Sequence, residues 1–156
     1  MHPHAQLVDS LYAAFKRRDA DAMVACYAPD ATFRDPIFEL AGHDVADMWR
    51  MFCERGGDLT LTWRDVRADD AAGAAHWEPR YTFSVTGRPV HNVIDSRFTF
   101  RDGRIATHHD TFDLWRWSRM ALGAKAVLLG WTPFVQKAIR QQARRNFEHW
   151  QARRSP

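Results

Sequence analysis

The ten residues Tyr27-Ala28-Pro29-Asp30-Ala31-Thr32-Phe33-Arg34-Asp35-Pro36 mark where this chain changes from helix to strand. Ahead of them, Leu7, Val8, Leu11, Tyr12 and Phe15 recur at helical spacing, and Asp19 is placed to cap a second short helix carrying Met23, Val24 and Tyr27. Pro29-Asp30 breaks that pattern. Ala31 to Asp35 then reads as a short strand that Pro36 ends or kinks.

Beyond the segment, Asp44 can cap a helix whose Val45, Met48, Trp49 and Phe52 share one face, with Gly56-Gly57 as its stop. From Asp58 the period drops to two: Leu59, Leu61 and Trp63 alternate with Thr60, Thr62 and Arg64. Similar stretches run over 74–86, 89–100 and 104–113, joined by turns at 69–73, 86–89 and 101–103, which makes an antiparallel meander. The end of the chain returns to helix, 114 to about 129 and 134 to about 153, broken at Gly130-Trp131-Thr132-Pro133. Helices in one block and strands in another define an α+β fold. We read residues 1–113 as the α+β body and 114–156 as an appended helical hairpin packed on it.

With 156 residues there is room for one core, and 46% hydrophobic with 26% charged residues excludes disorder and fibrous repeats. The formal net charge of +3 hides an asymmetry: residues 1–115 carry −5 and residues 116–156 carry +8. Cys26 and Cys53 lack metal spacing and read as free thiols in a reducing compartment; with no signal or membrane-spanning pattern, the expectation is a cytoplasmic protein. A cationic helix face is usually a solvated one, so neither nucleic acid nor a membrane is expected as partner.

The order helix, helix, Tyr27–Pro36 segment, helix, and a meander ending in Arg101-Asp102-Gly103-Arg104-Ile105 resembles the nuclear transport factor 2-like superfamily, which includes SnoaL-like polyketide cyclases, ketosteroid isomerases, limonene epoxide hydrolases and scytalone dehydratase. The resemblance covers residues 5 to 113. It implies a strongly curved sheet wrapped around helices as a cone, an apolar pocket at one end, and a homodimer formed through the sheet. It also implies that Asp35, in the Asp-Pro motif, is a general base and that Asp95 sits where those isomerases hold a protonated oxyanion-hole acid. Counting back from Phe100 instead of Gly103 puts Ser96 there, and a one-residue slip turns a strand side chain to the opposite face. The helix-one tyrosine of the isomerase pattern falls on Leu11, with Tyr12 about 100° around the helix. Tyr27 matches a pocket-lining tyrosine.

From the residues themselves, a carboxylate at a strand end beside an apolar cavity can have its pKa raised enough to take a carbon-bound proton. An Asp before Pro also serves simply as a turn cap. In Thr107-His108-His109-Asp110-Thr111-Phe112-Asp113, alternation sorts His109, Thr111 and Asp113 onto one face and His108, Asp110 and Phe112 onto the other. One face must be internal; His109 is the candidate acid or base, with His91 and Asp113 near it. Phe33, Trp49, Trp63 and Trp77 are core residues able to wall a dry cavity. No compact ligand set, phosphate loop or nucleophile elbow is present, so neither metal nor cofactor is expected. The expected function is a cofactor-free pocket enzyme doing acid–base chemistry on a small apolar molecule, as isomerase, cyclase, dehydratase or epoxide hydrolase. The alternative is a non-catalytic ligand-binding or dimerisation module.

Overall fold

A computed structural model describes residues 1–154. Its N-terminal helices are α1 (Pro3–Lys16) and α2 (Ala20–Ala25), the second capped by Asp19, whose carboxylate accepts from the Ala22 N–H. Strand β1 (Tyr27–Arg34) and the short β2 (Glu39–Ala41) form a hairpin around the Asp35-Pro36 turn, and α3 (His43–Arg55) follows. Gly42, at φ +61°, makes the entry to α3 without a side-chain cap, so Asp44 lies in the first turn rather than at the cap.

The meander comprises β3 (Thr60–Ala68), β4 (Ala72–Phe83), β5 (Arg88–His91), β6 (Ile94–Arg101) and β7 (Arg104–Thr111). The expected third strand is divided at Asn92-Val93. Both halves still pair with β4, whose 12 residues carry β5 at one end and β6 at the other. The sheet order is β2-β1-β7-β6-β4-β3, and β1 runs parallel to β7, so the sheet is mixed rather than wholly antiparallel. It is curled and unclosed, and α1 and α3 fill its concave side. Val8, Leu11, Tyr12 and Phe15 of α1 meet Met48 and Trp49 of α3 and Trp77, Phe98 and Ile105 of the sheet in one cluster.

The C-terminal segment is three helices: α4 (Leu114–Leu122), α5 (Ala124–Leu129) and α6 (Pro133–Arg154). Gly123, at φ +85°, separates the first two, a break the apolar pattern did not indicate. In α6 Phe147 and Trp150 are buried in the main core, Trp150 donating from Nε1 to Glu54 at 2.9 Å. Leu114, Trp117 and Ala121 of α4 pack with Val90 in a second cluster. The α5–α6 corner leaves Leu128, Trp131 and Phe134 exposed. No described helix is long and apolar enough to cross a membrane.

Candidate active site

Asp35 sits in the turn after β1. Its Oδ1 accepts the N–H groups of Ile37 at 2.7 Å and Phe38 at 2.6 Å, and its own N–H donates to the Phe38 carbonyl at 3.0 Å. That is the turn cap anticipated for an Asp-Pro pair. Two backbone donors normally lower a carboxyl pKa, yet here burial outweighs them and the nearby Asp110 charge adds to it, so the pKa rises to about 7. The other oxygen, Oδ2, takes no hydrogen bond among the described residues.

Next to Asp35 lies a chain of buried polar groups drawn from five places in the sequence. Tyr12 of α1 donates to Ser96 Oγ at 2.8 Å, and Ser96 donates to Asp110 Oδ1. His108 Nε2 meets the same oxygen at 2.7 Å, and its Nδ1 meets the Tyr27 hydroxyl at 2.7 Å. Asp110 accepts only, so in the neutral ring the proton stands on Nε2, and Nδ1 accepts from Tyr27. Tyr12, Ser96, His108 and Asp110 are each no more than 2% exposed. The His108 ring is held by Phe98 at 4.4 Å and Phe33 at 5.0 Å between centroids. Burial first, and then the Asp110 charge, push both Tyr12 and Tyr27 well above the ordinary tyrosine pKa, so both hydroxyls keep their protons. Outside this chain, Tyr81 of β4 accepts from Trp117 Nε1 at 2.9 Å. Burial raises its pKa to about 12, with Asp35 contributing. Its own proton has no described acceptor.

The register of β6 and β7 decides which residues take part. Ser96 pairs with Asp110 and Phe98 with His108 facing inward, whereas Asp95 pairs with Thr111 and Arg97 with His109 facing outward. Asp95 and His109 therefore lie on the outer face of the sheet and do not join Asp35. Asp95 instead bonds His76 Nδ1 at 2.9 Å, which raises the His76 pKa. A register shift between Thr99 and Phe100 gives β7 one extra residue, so inward positions cannot be carried across from the turn by counting.

Among the expected pocket residues, Tyr27, Phe33, Trp49 and Trp77 are buried inside the curl. The Trp49 and Trp77 indole nitrogens have no partner within hydrogen-bond geometry among the described residues. Trp63 is half-buried and bonds Asp9 at 2.7 Å; His91 is half-buried and bonds Glu78 at 2.8 Å; Asp113 is exposed and caps α4 through the Arg116 N–H. These last three stand outside the buried chain. Tyr12 enters it although Leu11 was the position indicated. Because α1 lies within the curl, its buried arc spans Val8, Leu11, Tyr12 and Phe15, and a rotation of about 100° still points inward. Tyr81 lies in no motif, and nothing in the local sequence signals its place. A metal-type grouping occurs only at His43, Asp44 and Asp47 among the described residues, and Asp44 and Asp47 already accept from Gln151.

Replacing Asp110 by Leu leaves the Ser96 and His108 donors buried without an acceptor. The expected loss is about 3 kcal/mol of unfolding free energy, against less than about 0.5 kcal/mol for the exposed Asp95→Ala. Urea melts of the two variants check the register directly: equal losses would contradict it.

The SnoaL-like domain model matches residues 8–108, and the chain belongs to that family. No curated protein sequence matches it. A nuclear transport factor 2-like protein of unknown function from Burkholderia pseudomallei K96243 superimposes with a TM-score of 0.66 at 26% identity, over 77% of this chain and 98% of that one. A Xanthomonas campestris pv. campestris protein proposed to be a polyketide cyclase gives 0.63 at 22% identity, over 76% and 96%. An epoxide hydrolase of the LEH-like type from M. tuberculosis gives 0.62 at 20%, over 81% and 94%. The last two likenesses concern the fold alone.

Proposed function

We propose that the protein is an acid–base enzyme acting on a small apolar molecule, with Asp35 as the proton-transfer group. One observation carries this: a half-buried carboxyl with its pKa near 7 and one oxygen free, set beside a continuous buried hydrogen-bond chain. Above that pH the Asp35 carboxylate is ionised and Oδ2 can accept a proton from carbon, while Oδ1 stays fixed by Ile37 and Phe38. Tyr81 would donate its free hydroxyl proton in a hydrogen bond to the substrate oxygen as charge develops there, its orientation set by Trp117. Asp110, held in place by Ser96 and His108, adds to the effect of burial in raising the Asp35 pKa. The reaction classes this supports are isomerisation, cyclisation, dehydration and epoxide opening. The self-satisfied character of the Tyr12-to-Tyr27 chain favours the second reading, a non-catalytic binding module.

Incubation in D2O with a panel of enolisable cyclic ketones and epoxides, followed by mass spectrometry, separates the two. Catalysis predicts deuterium uptake or hydration with a pH profile rising through about 7, reduced at least 100-fold in Asp35→Asn and about tenfold in Tyr81→Phe. Turnover no greater in the wild type than in folded Asp35→Asn, across the panel, would leave the binding module.

A further inference from the structure

Away from the Asp35 site, one surface cleft gathers three arginines. Arg88, Pro89, Arg116, Arg119 and Met120 line it. Arg116 and Arg119 stand three residues apart on α4 and so share a face; Arg88 reaches them from the first residue of β5. Arg50, Arg64, Arg101 and Arg144 elsewhere pair with carboxylates, but none of these three does among the described residues. Asp113, one turn before Arg116, spends Oδ1 on the cap of α4.

Neutral groups aim the three guanidiniums without neutralising them. Arg88 donates from Nε to the Met120 carbonyl at 2.8 Å, and Arg116 from Nη1 to the His91 carbonyl at 2.9 Å. Arg119 lies over the Trp115 ring at 4.2 Å, and its Nε is buried with no hydrogen-bond partner among the described residues. A buried donor left unmade is destabilising, and three like charges around one concavity repel. Both penalties vanish if an oxyanion enters. Guanidinium forks match phosphate and carboxylate oxygens, but three of them offer more donors than the two oxygens of one carboxylate can accept. A phosphate monoester presents three terminal oxygens, and Met120 and Pro89 add apolar contact for its organic part.

We propose that Arg88, Arg116 and Arg119 form a binding site for a phosphate group, distinct from the Asp35 site and independent of whether Asp35 is catalytic. The group belongs to a soluble monoester or to a lipid headgroup, and the two sources are separable. The full chain is titrated at constant ionic strength with inorganic phosphate and with phenyl phosphate, by calorimetry and by the 15N-resolved Nε–Hε resonance of Arg119. Saturable binding at one site, a shifted Arg119 resonance, and affinity weakened at least about tenfold in Arg116→Met and Arg119→Met are expected. Arg104→Met, at the exposed first residue of β7, should bind as wild type. Arg88→Met, on the strand side, supplies the same readout if the α4 variants fail to fold. Sedimentation with phosphatidic acid against phosphatidylcholine vesicles tests the headgroup arm; retention on phosphatidic acid that the arginine variants lose supports the site and names its source. Phosphate effects matched by chloride at equal ionic strength, or arginine variants that bind phosphate like wild type, overturn the proposal.

Discussion

Asp35→Asn should stabilise the protein above neutral pH and leave it nearly unchanged near pH 4. The folded state holds the Asp35 proton with a pKa of about 7, against an ordinary 3.8. A raised carboxyl favours folding fully below the ordinary value, and this advantage is lost as pH climbs through the folded one. Over roughly three pH units at 1.36 kcal/mol each, the wild type forfeits up to about 4 kcal/mol by pH 8. Asparagine stays neutral, and its carbonyl oxygen can still accept from Ile37 and Phe38, so the variant escapes that loss. For a chain of this size the gain at pH 8 corresponds to roughly 10 °C in melting temperature. Comparing variant with wild type at each pH cancels the opposite trends of Asp58, Asp69 and Glu78, all lowered by hydrogen bonds. A pH-independent difference, or an asparagine variant less stable at pH 8, would show that Asp35 is not held against the cost of its burial. The expectation also links stability to function, because a site that keeps a carboxylate in a desolvated place sacrifices stability for reactivity.

Truncation after Asp113 should abolish folding. It removes Leu114, Trp117, Ala121, Phe147 and Trp150, all buried, and uncovers Phe38 and Val90 on the body. Deleting one buried Phe or Trp side chain costs about 3–5 kcal/mol, and a whole domain has only about 5–15 kcal/mol. Circular dichroism of the truncated chain should show no cooperative melt. Trp150→Ala alone should lose about 3–5 kcal/mol, whereas Phe134→Ala, at a residue 82% exposed, should change stability by less than about 0.5 kcal/mol. A truncated chain that melts at the wild-type temperature would instead make the three helices a tethered arm.

The placement of Asp35 was readable because a local rule governs it: an Asp-Pro pair ends a strand and folds its carboxylate onto the next N–H groups, whatever lies further away. The inward set on β6 was legible too. Ile94, Ser96, Phe98 and Phe100 alternate with Asp95, Arg97, Thr99 and Arg101, and the apolar members mark the buried face. Counting back from Gly103 misassigned it because the turn from Phe100 to Gly103 is one residue shorter than in the isomerase pattern, while the alternation along β6 itself runs unbroken. On β7 the pattern was weaker. His108 and Asp110 against His109 and Thr111 differ little in polarity, and Phe112 alone marked the inner face.

By itself, the order of helical and twofold periodicities determined the α+β body, and the Tyr27–Pro36 segment determined where Asp35 would stand. Those are short-range facts, set by backbone preferences and by side-chain spacing within one element. The meeting of Tyr12, Tyr27, Ser96, His108 and Asp110 belongs to the tertiary structure, as do the burial that lifts Asp35 and the convergence of Arg88 on Arg116 and Arg119. Each depends on how far the sheet curls and on which edge of β4 receives β5. Small register shifts decide such matters, and one residue of slip reverses every side chain on a strand.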